Sequence, residues 1–272
     1  MTGCSIPDML RIVQEHGCVP IPLDLDMDTF APPMDQVKAA LSDKTVAVIF
    51  AQVLGVTYDL APYAELLKPR GIDLIEDLAQ SFKSAYITNG QPDATLTMFS
   101  FGLIKHNTAF YGGVSVVRDK ASVANRQICP DLYKSMHDLQ ENYPTYSREE
   151  YSKKISSAFK VWMVLNSELA IKAALKICRM KGLKFEEVII SKLRGFPDQA
   201  DFLSKFRIKP NAPLIAMIWE RTSTQTAAEF KKRNENYWKV TDALTKEGIF
   251  YPAQFDKERT FWLYWLPVAN PI

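Results

Sequence analysis

Cysteine and histidine are scarce in this chain, and what they fail to form narrows its chemistry. The four cysteines, Cys4, Cys18, Cys129 and Cys178, are scattered, with no C-x-x-C pair and no metal-ligand spacing. That argues against a disulfide framework or a zinc site and for reduced thiols in a cytoplasmic, cytosol-like compartment. The three histidines, His16, His106 and His137, stand apart from any Ser or Cys nucleophile pattern, so hydrolase and metal readings have little support. Neither sign of charge dominates. With 33 basic and 31 acidic residues the net charge is +2, and no basic stripe interleaved with aromatics marks a nucleic-acid partner. Long apolar runs are missing too: the best stretch, residues 158–177, is interrupted by Lys160, Glu168, Lys172 and Lys176 and makes a poor membrane span. The opening Met1-Thr-Gly-Cys-Ser5 lacks the charged and apolar regions of a signal peptide. No repeat or low-complexity linker is found.

What is present suits a globular protein: 47% hydrophobic and 24% charged residues over 272 positions, enough for one large core or two modest ones. The first 118 residues alternate helical and strand patterns. Ser5 can cap a helix carrying Met9, Leu10, Ile12 and Val13 that stops at Gly17. A short strand is expected over 19–25 despite Pro20 and Pro22, then a helix around 34–41. Apolar runs at 45–50, 72–75, 94–99 and 113–118 read as strands, with a helix over 61–68 between the first two. Such alternation argues for an α/β domain with a mostly parallel sheet buried on both sides, whose ligands gather beyond the carboxyl ends of its strands. From 131 to 197 the pattern is helical and more charged, and 212–247 is largely helical, ending at Gly248. The apolar run Phe261-Trp-Leu-Tyr-Trp-Leu-Pro-Val268 reads as a buried strand, with Trp262 and Trp265 in a core or dimer face. The expected division is 1–130, 131–198 and 199–272. The apolar-rich helix of 158–180 could lie on a membrane surface, but packing on the protein's own core is the commoner fate.

Three spots at strand ends carry chemistry. Asp77 closes a strand in Asp77-Leu-Ala-Gln80; taken alone it is best read as a turn cap. Phe99-Ser-Phe-Gly-Leu-Ile-Lys105 ends a strand with a hydroxyl and places a lysine five residues on, yet most lysines are simply solvated. Gly112-Gly113 alone is a tight turn. Order and spacing together are less ordinary. Glu-Asp-x-Ala-Gln, then Phe-Ser-Phe-x-x-x-Lys, then Gly-Gly seven residues after the lysine resembles the DegT/DnrJ/EryC1/StrS family, fold-type-I pyridoxal-phosphate (PLP) enzymes that are largely aminotransferases of nucleotide-linked keto-sugars. Gly17-Cys-Val-Pro-Ile-Pro-Leu-Asp24 and Leu54-Gly55 with Asp59 resemble flanking family stretches. The motifs cover residues 5–118, with a weaker likeness over 200–268.

The resemblance implies an aspartate-aminotransferase-like large domain, a helical insertion and a truncated small domain. It also implies PLP as cofactor and Lys105 as the lysine that forms the internal Schiff base and shuttles the proton. Asp77 is implied as partner of the pyridine nitrogen, Ala79 as the small side chain against the ring, Gln80 as a hydrogen-bond partner near the phenolic oxygen, and Ser100 as a phosphate donor. A homodimer, an amino-acid donor and a keto acceptor follow in the same way. The sequence departs from the family in several places. The family's glycine-rich phosphate loop and ring-covering aromatic would lie ahead of Met1, so that roughly the first quarter of the fold is not in this sequence. Lys205-Phe-Arg207 stands where the family has Asn-x-Arg, Tyr111 stands where it commonly has Glu, and the small domain stops after one strand. A rival reading is therefore a noncatalytic remnant or splice form that binds a partner, or binds PLP without turnover. Dehydration on the same fold is a third, weakened by Lys105, since that branch typically replaces the lysine.

Overall fold

The computed structural model describes residues 1–82, 90–118, 131–185, 187–189, 202–205, 207–224 and 227–249. Cys129 and the 261–268 run with Trp262 and Trp265 lie outside them. The chain forms two compact units: residues 1–100, 113–136 and 222–272 in one, and 101–112 with 137–221 in the other.

The first unit is built on a four-stranded sheet in the order β1 (Ala47–Ala51), β2 (Asp73–Asp77), β3 (Leu96–Ser100) and β4 (Gly113–Val117). The first three strands run parallel and β4 is antiparallel to β3, so the expected mostly parallel sheet is present. Val48, Phe50 and Leu74 point from β1 and β2 onto α2 (Met34–Ala40) and α3 (Ala61–Leu67), which supply Val37, Tyr63, Ala64 and Leu67 to one core. Phe50 and Tyr63 meet there with ring centroids 4.7 Å apart. The alternation of β1 and β2 leaves the other face half-buried through Ile49 and Ile75, so burial on both sides is not complete among the described residues.

Two local expectations are corrected. The first helix, α1 (Pro7–Glu15), is capped at Ile6 with no side-chain hydrogen bond; Pro7, whose missing N–H costs nothing in a first turn, starts it instead of Ser5. Residues 19–25 form no strand. Pro20 and Pro22 remove two donors, and only Leu23 bridges, to Thr2. That bridge brings the amino terminus into the sheet region: the Thr2 N–H donates to Ile49 O at 3.0 Å, and the Ala51 N–H donates to Thr2 Oγ1 at 3.0 Å.

The second unit is helical. It holds the second half of α4 (Leu132–Glu141), α5 (Arg148–Leu165), α6 (Glu168–Met180) and most of α7 (Ala212–Thr224). The long apolar-rich stretch is two helices because Asn166 ends one and Ser167 caps the next, accepting from the Ala170 N–H at 3.3 Å. Only Ala158 and Cys178 of α5 and α6 are buried, while Phe159, Trp162, Met163 and Leu169 stay exposed. Ser147 and Glu150 close a reciprocal capping box on α5. The long α8 (Ala227–Lys246) belongs to the first unit and buries Tyr237 and Thr241. Among the described residues, no helix is long and apolar enough to cross a membrane.

Candidate active site

Parallel pairing brings the carboxyl ends of β1, β2 and β3 to one edge of the sheet, and register decides which side chain stands on which face. Asp77 is opposite Ala51 on one side and Met98 on the other, so Asp77, Met98 and Ser100 share a face. With Ser100 two residues past Met98 on the adjacent strand, its Cα lies roughly 8 Å from that of Asp77. Glu76 and Thr97 take the opposite face, towards the core.

Asp77 is 9% exposed, and its Oδ1 accepts the Ala79 N–H at 2.9 Å. This is the turn-capping role that its position alone suggested, and it fixes the carboxylate at the strand end. The Asp77 carbonyl accepts the Gln52 N–H at 3.0 Å, locking the ends of β1 and β2 together. Ala79 and Gln80 follow, both half-buried. The Gln80 Oε1 accepts the Leu54 N–H at 2.7 Å, which turns the donor end of its amide away from Leu54 and braces a turn where Leu54 has φ +59°. Ser81 Oγ donates to Gln52 O at 2.7 Å, so two side chains of the segment after β2, Gln80 and Ser81, tie it to the chain that leaves β1. Ser100 is half-buried and pairs with Gly113, where a Cβ would stand 2.6 Å from Phe99 O; no other residue fits that ladder position without a shift.

Lys105 belongs to the second unit, in the 101–112 loop, and is half-buried. Its N–H donates to Gly102 O at 2.9 Å. Ends of the loop are tied by Phe101 N–H to Gly112 O and Ala109 N–H to Phe101 O, each 2.9 Å. Arg207 follows a single turn at Leu203–Lys205 in the same unit. Thus Asp77, Ala79, Gln80 and Ser100 are gathered in one unit, and Lys105 stands in the other.

Sequence reading missed Glu76. Its side chain is 1% exposed and accepts from Gln52 Nε2 at 2.6 Å, the Gln91 N–H at 2.9 Å and Thr97 Oγ1 at 2.9 Å. Arg118 Nη1 donates to the same Thr97 hydroxyl at 2.9 Å. Burial pushes the Glu76 carboxyl pKa up, against those hydrogen bonds and the Arg118 charge. The available signal was the strand's alternation, which puts the Glu76 side chain on the same face as the apolar Leu74. Of the histidines, His16 Nδ1 lies 2.7 Å from Ile12 O and His137 Nδ1 3.7 Å from Asp138, both exposed, while His106 is half-buried and follows Lys105 in the chain.

A mostly parallel α/β sheet flanked by helices is the architecture of the fold-type-I aminotransferases, and solved structures share it. CalS13, a sugar aminotransferase from Micromonospora echinospora, matches 97% of this chain and 59% of its own at 15% identity with a TM-score of 0.53. The Streptococcus pneumoniae protein Spr1654 in its PMP form matches 96% of this chain and 58% of its own at 15% identity with a TM-score of 0.56. The chain belongs to the DegT/DnrJ/EryC1/StrS aminotransferase family, whose profile matches residues 8–183, beyond the motifs and through α4 to α6. Enzymes of this family act on small molecules. A curated relative, the dTDP-4-dehydro-2,6-dideoxy-D-glucose 3-dehydratase of Saccharopolyspora spinosa, is 30% identical over 112 residues, which is 40% of this chain and 24% of that protein. The chain therefore spans about a quarter of that relative and under three fifths of the two structures.

Proposed function

We propose that this chain carries the cofactor face of a PLP-dependent aminotransferase that moves an amino group from an amino acid to a keto acceptor, with nucleotide-linked keto-sugars as the acceptor class. The observation that carries the proposal is the shared face of Asp77 and Ser100 at the carboxyl edge of the sheet, in a chain of this family. The residues fit the cofactor. Asp77 is a nearly buried carboxylate, an acceptor suited to a protonated pyridine nitrogen. Ser100 supplies a hydroxyl donor for phosphate, Ala79 a small side chain for the ring face, and Gln80 the donor end of an amide already oriented by Leu54. Lys105 supplies the amine that would hold the aldehyde and, when released, move the substrate proton. Bound PLP serves as an electron sink for the bond broken at the substrate carbon.

The test is direct. Added PLP should give the absorbance band of a lysine-bound aldehyde, and borohydride should fix cofactor mass on the Lys105 peptide. Lys105→Ala should abolish both. Asp77→Ala should weaken cofactor affinity roughly 10- to 100-fold, the effect of losing a charge-assisted partner. No band in the wild-type chain would sink the reading. A band that amino donors never convert would favour a noncatalytic binding protein. The 3-dehydratase relative gives dehydration its own support, and release of water from a keto-sugar without amine consumption would select it. We further propose a homodimer in a cytoplasmic, reducing compartment, consistent with the family resemblance and with the free thiols Cys4, Cys18 and Cys178. Sedimentation velocity decides the dimer.

A further inference from the structure

The loop that bears Lys105 clusters with the helices of 137–221 rather than with the strands it connects, and its attachments to them are specific. Asn107, 8% exposed, donates through Nδ2 to Arg221 O at 3.2 Å, beyond the last residue of the loop by more than a hundred positions in sequence. Tyr111 Oη donates to Lys154 O on α5 at 3.3 Å, and the Lys154 ammonium returns over the Tyr111 ring at 4.4 Å. That ammonium also lies 5.0 Å from the Tyr146 ring and 3.3 Å from Tyr146 Oη. Burial and the neighbouring Tyr146 and Tyr151 push the Tyr111 phenol pKa up, so it remains a donor. Phe110 is held at φ +67°, a costly conformation for a non-glycine residue that persists only where its surroundings enforce it. Its N–H donates to Thr108 Oγ1 at 2.8 Å, and its ring meets Phe159 of α5 edge-on at 6.4 Å. Gly112, with φ +85°, lets the backbone close on α7: a Cβ there would sit 3.0 Å from Ile218 Cδ1 and 3.3 Å from Leu214.

We infer that Asn107, Phe110 and Tyr111 are positioning residues: they clamp the Lys105 loop onto α5 and α7 and so set how its amine is presented. The helices of the second unit are then part of the working apparatus of the lysine. The inference rests on the proposed role of Lys105, but the clamp itself can be tested without it. Strain at Phe110 and two hydrogen bonds spaced four residues apart fix the loop at both sides of its second half, while the Phe101–Gly112 closure fixes its ends.

The test uses the full chain and the variants Tyr111→Phe and Asn107→Ala. Each removes one side-chain hydrogen bond and little volume. Amide exchange over 101–112 should quicken about tenfold in each, the effect of one lost bond, with exchange in β1 to β3 unchanged. With PLP added, borohydride-fixed capture on Lys105 should weaken by a similar factor, and its pH profile should depart from that of the wild type. Lys154→Met, which keeps the stem and deletes the cation, is the second variant should either of the first fail to fold. Unchanged loop exchange, or a uniform quickening across the chain, overturns the inference. If the wild-type chain captures no PLP, the enzymatic reading fails while the exchange arm still decides the clamp.

Discussion

Glu76 and Asp77 are neighbours in the chain with opposite surroundings. Asp77 ends β2 on the half-buried face, where its carboxylate caps a turn. Glu76 is sealed on the core side with three donors upon it. Since burial raises its pKa, the native state binds this proton more tightly than the unfolded chain does. Its contribution to stability is therefore full below the ordinary glutamate range and is lost as pH rises through the raised native value. Glu76→Gln removes that titration, so the variant is expected to gain on the wild type as the pH of a thermal melt is raised. A difference in melting midpoint that does not vary with pH would refute the assignment. Asp77 was legible in the sequence because an acid at the end of an apolar run is conspicuous and its motif is ordered. Glu76 was not, because its burial depends on Gln52, Gln91 and Thr97, which come from three other segments.

At the scale of elements, patterns with a local cause were readable and those with a distant cause were not. Apolar runs located β1 to β4 to within a residue or two, and α3 stops at the Lys68–Arg70 turn ahead of Gly71. The strand expected over 19–25 failed because two prolines outweighed its apolar character. The division of 158–180 into two helices was hidden because both halves share an apolar composition and only the Asn166-Ser167 pair breaks them. The capping box is a local device with a local test: Ser147→Ala should cost about 1 kcal/mol and lower helix content at a given temperature, measured by circular dichroism. Gly112→Ala should cost more, on the order of 1–3 kcal/mol, since it combines an unfavourable φ with a close approach to Ile218. Equal stability of Gly112→Ala and wild type would mean that the turn has another conformation.

For the molecule as a whole, the motif order pointed to the family, and the family match carries further, into α4 to α6 where no motif was visible. Helices that pack through scattered aliphatic residues leave only periodicity in the sequence, and periodicity does not name a family. The two-unit division was equally hidden: nothing between Ser100 and Phe101 marks the point where the chain leaves the strands for the helices. Limited proteolysis is expected to respect the units, with fragments of α5–α6 surviving together.

Because β2 alternates sides at every step, the order of its last two letters is itself a functional instruction. Exchanging them, Glu76→Asp together with Asp77→Glu, leaves mass, charge and isoelectric point untouched, yet it hands the longer arm to the outward position and leaves the sealed one with an arm too short for its donors. Two chains of identical composition, mass and charge would then differ in both firmness and chemistry.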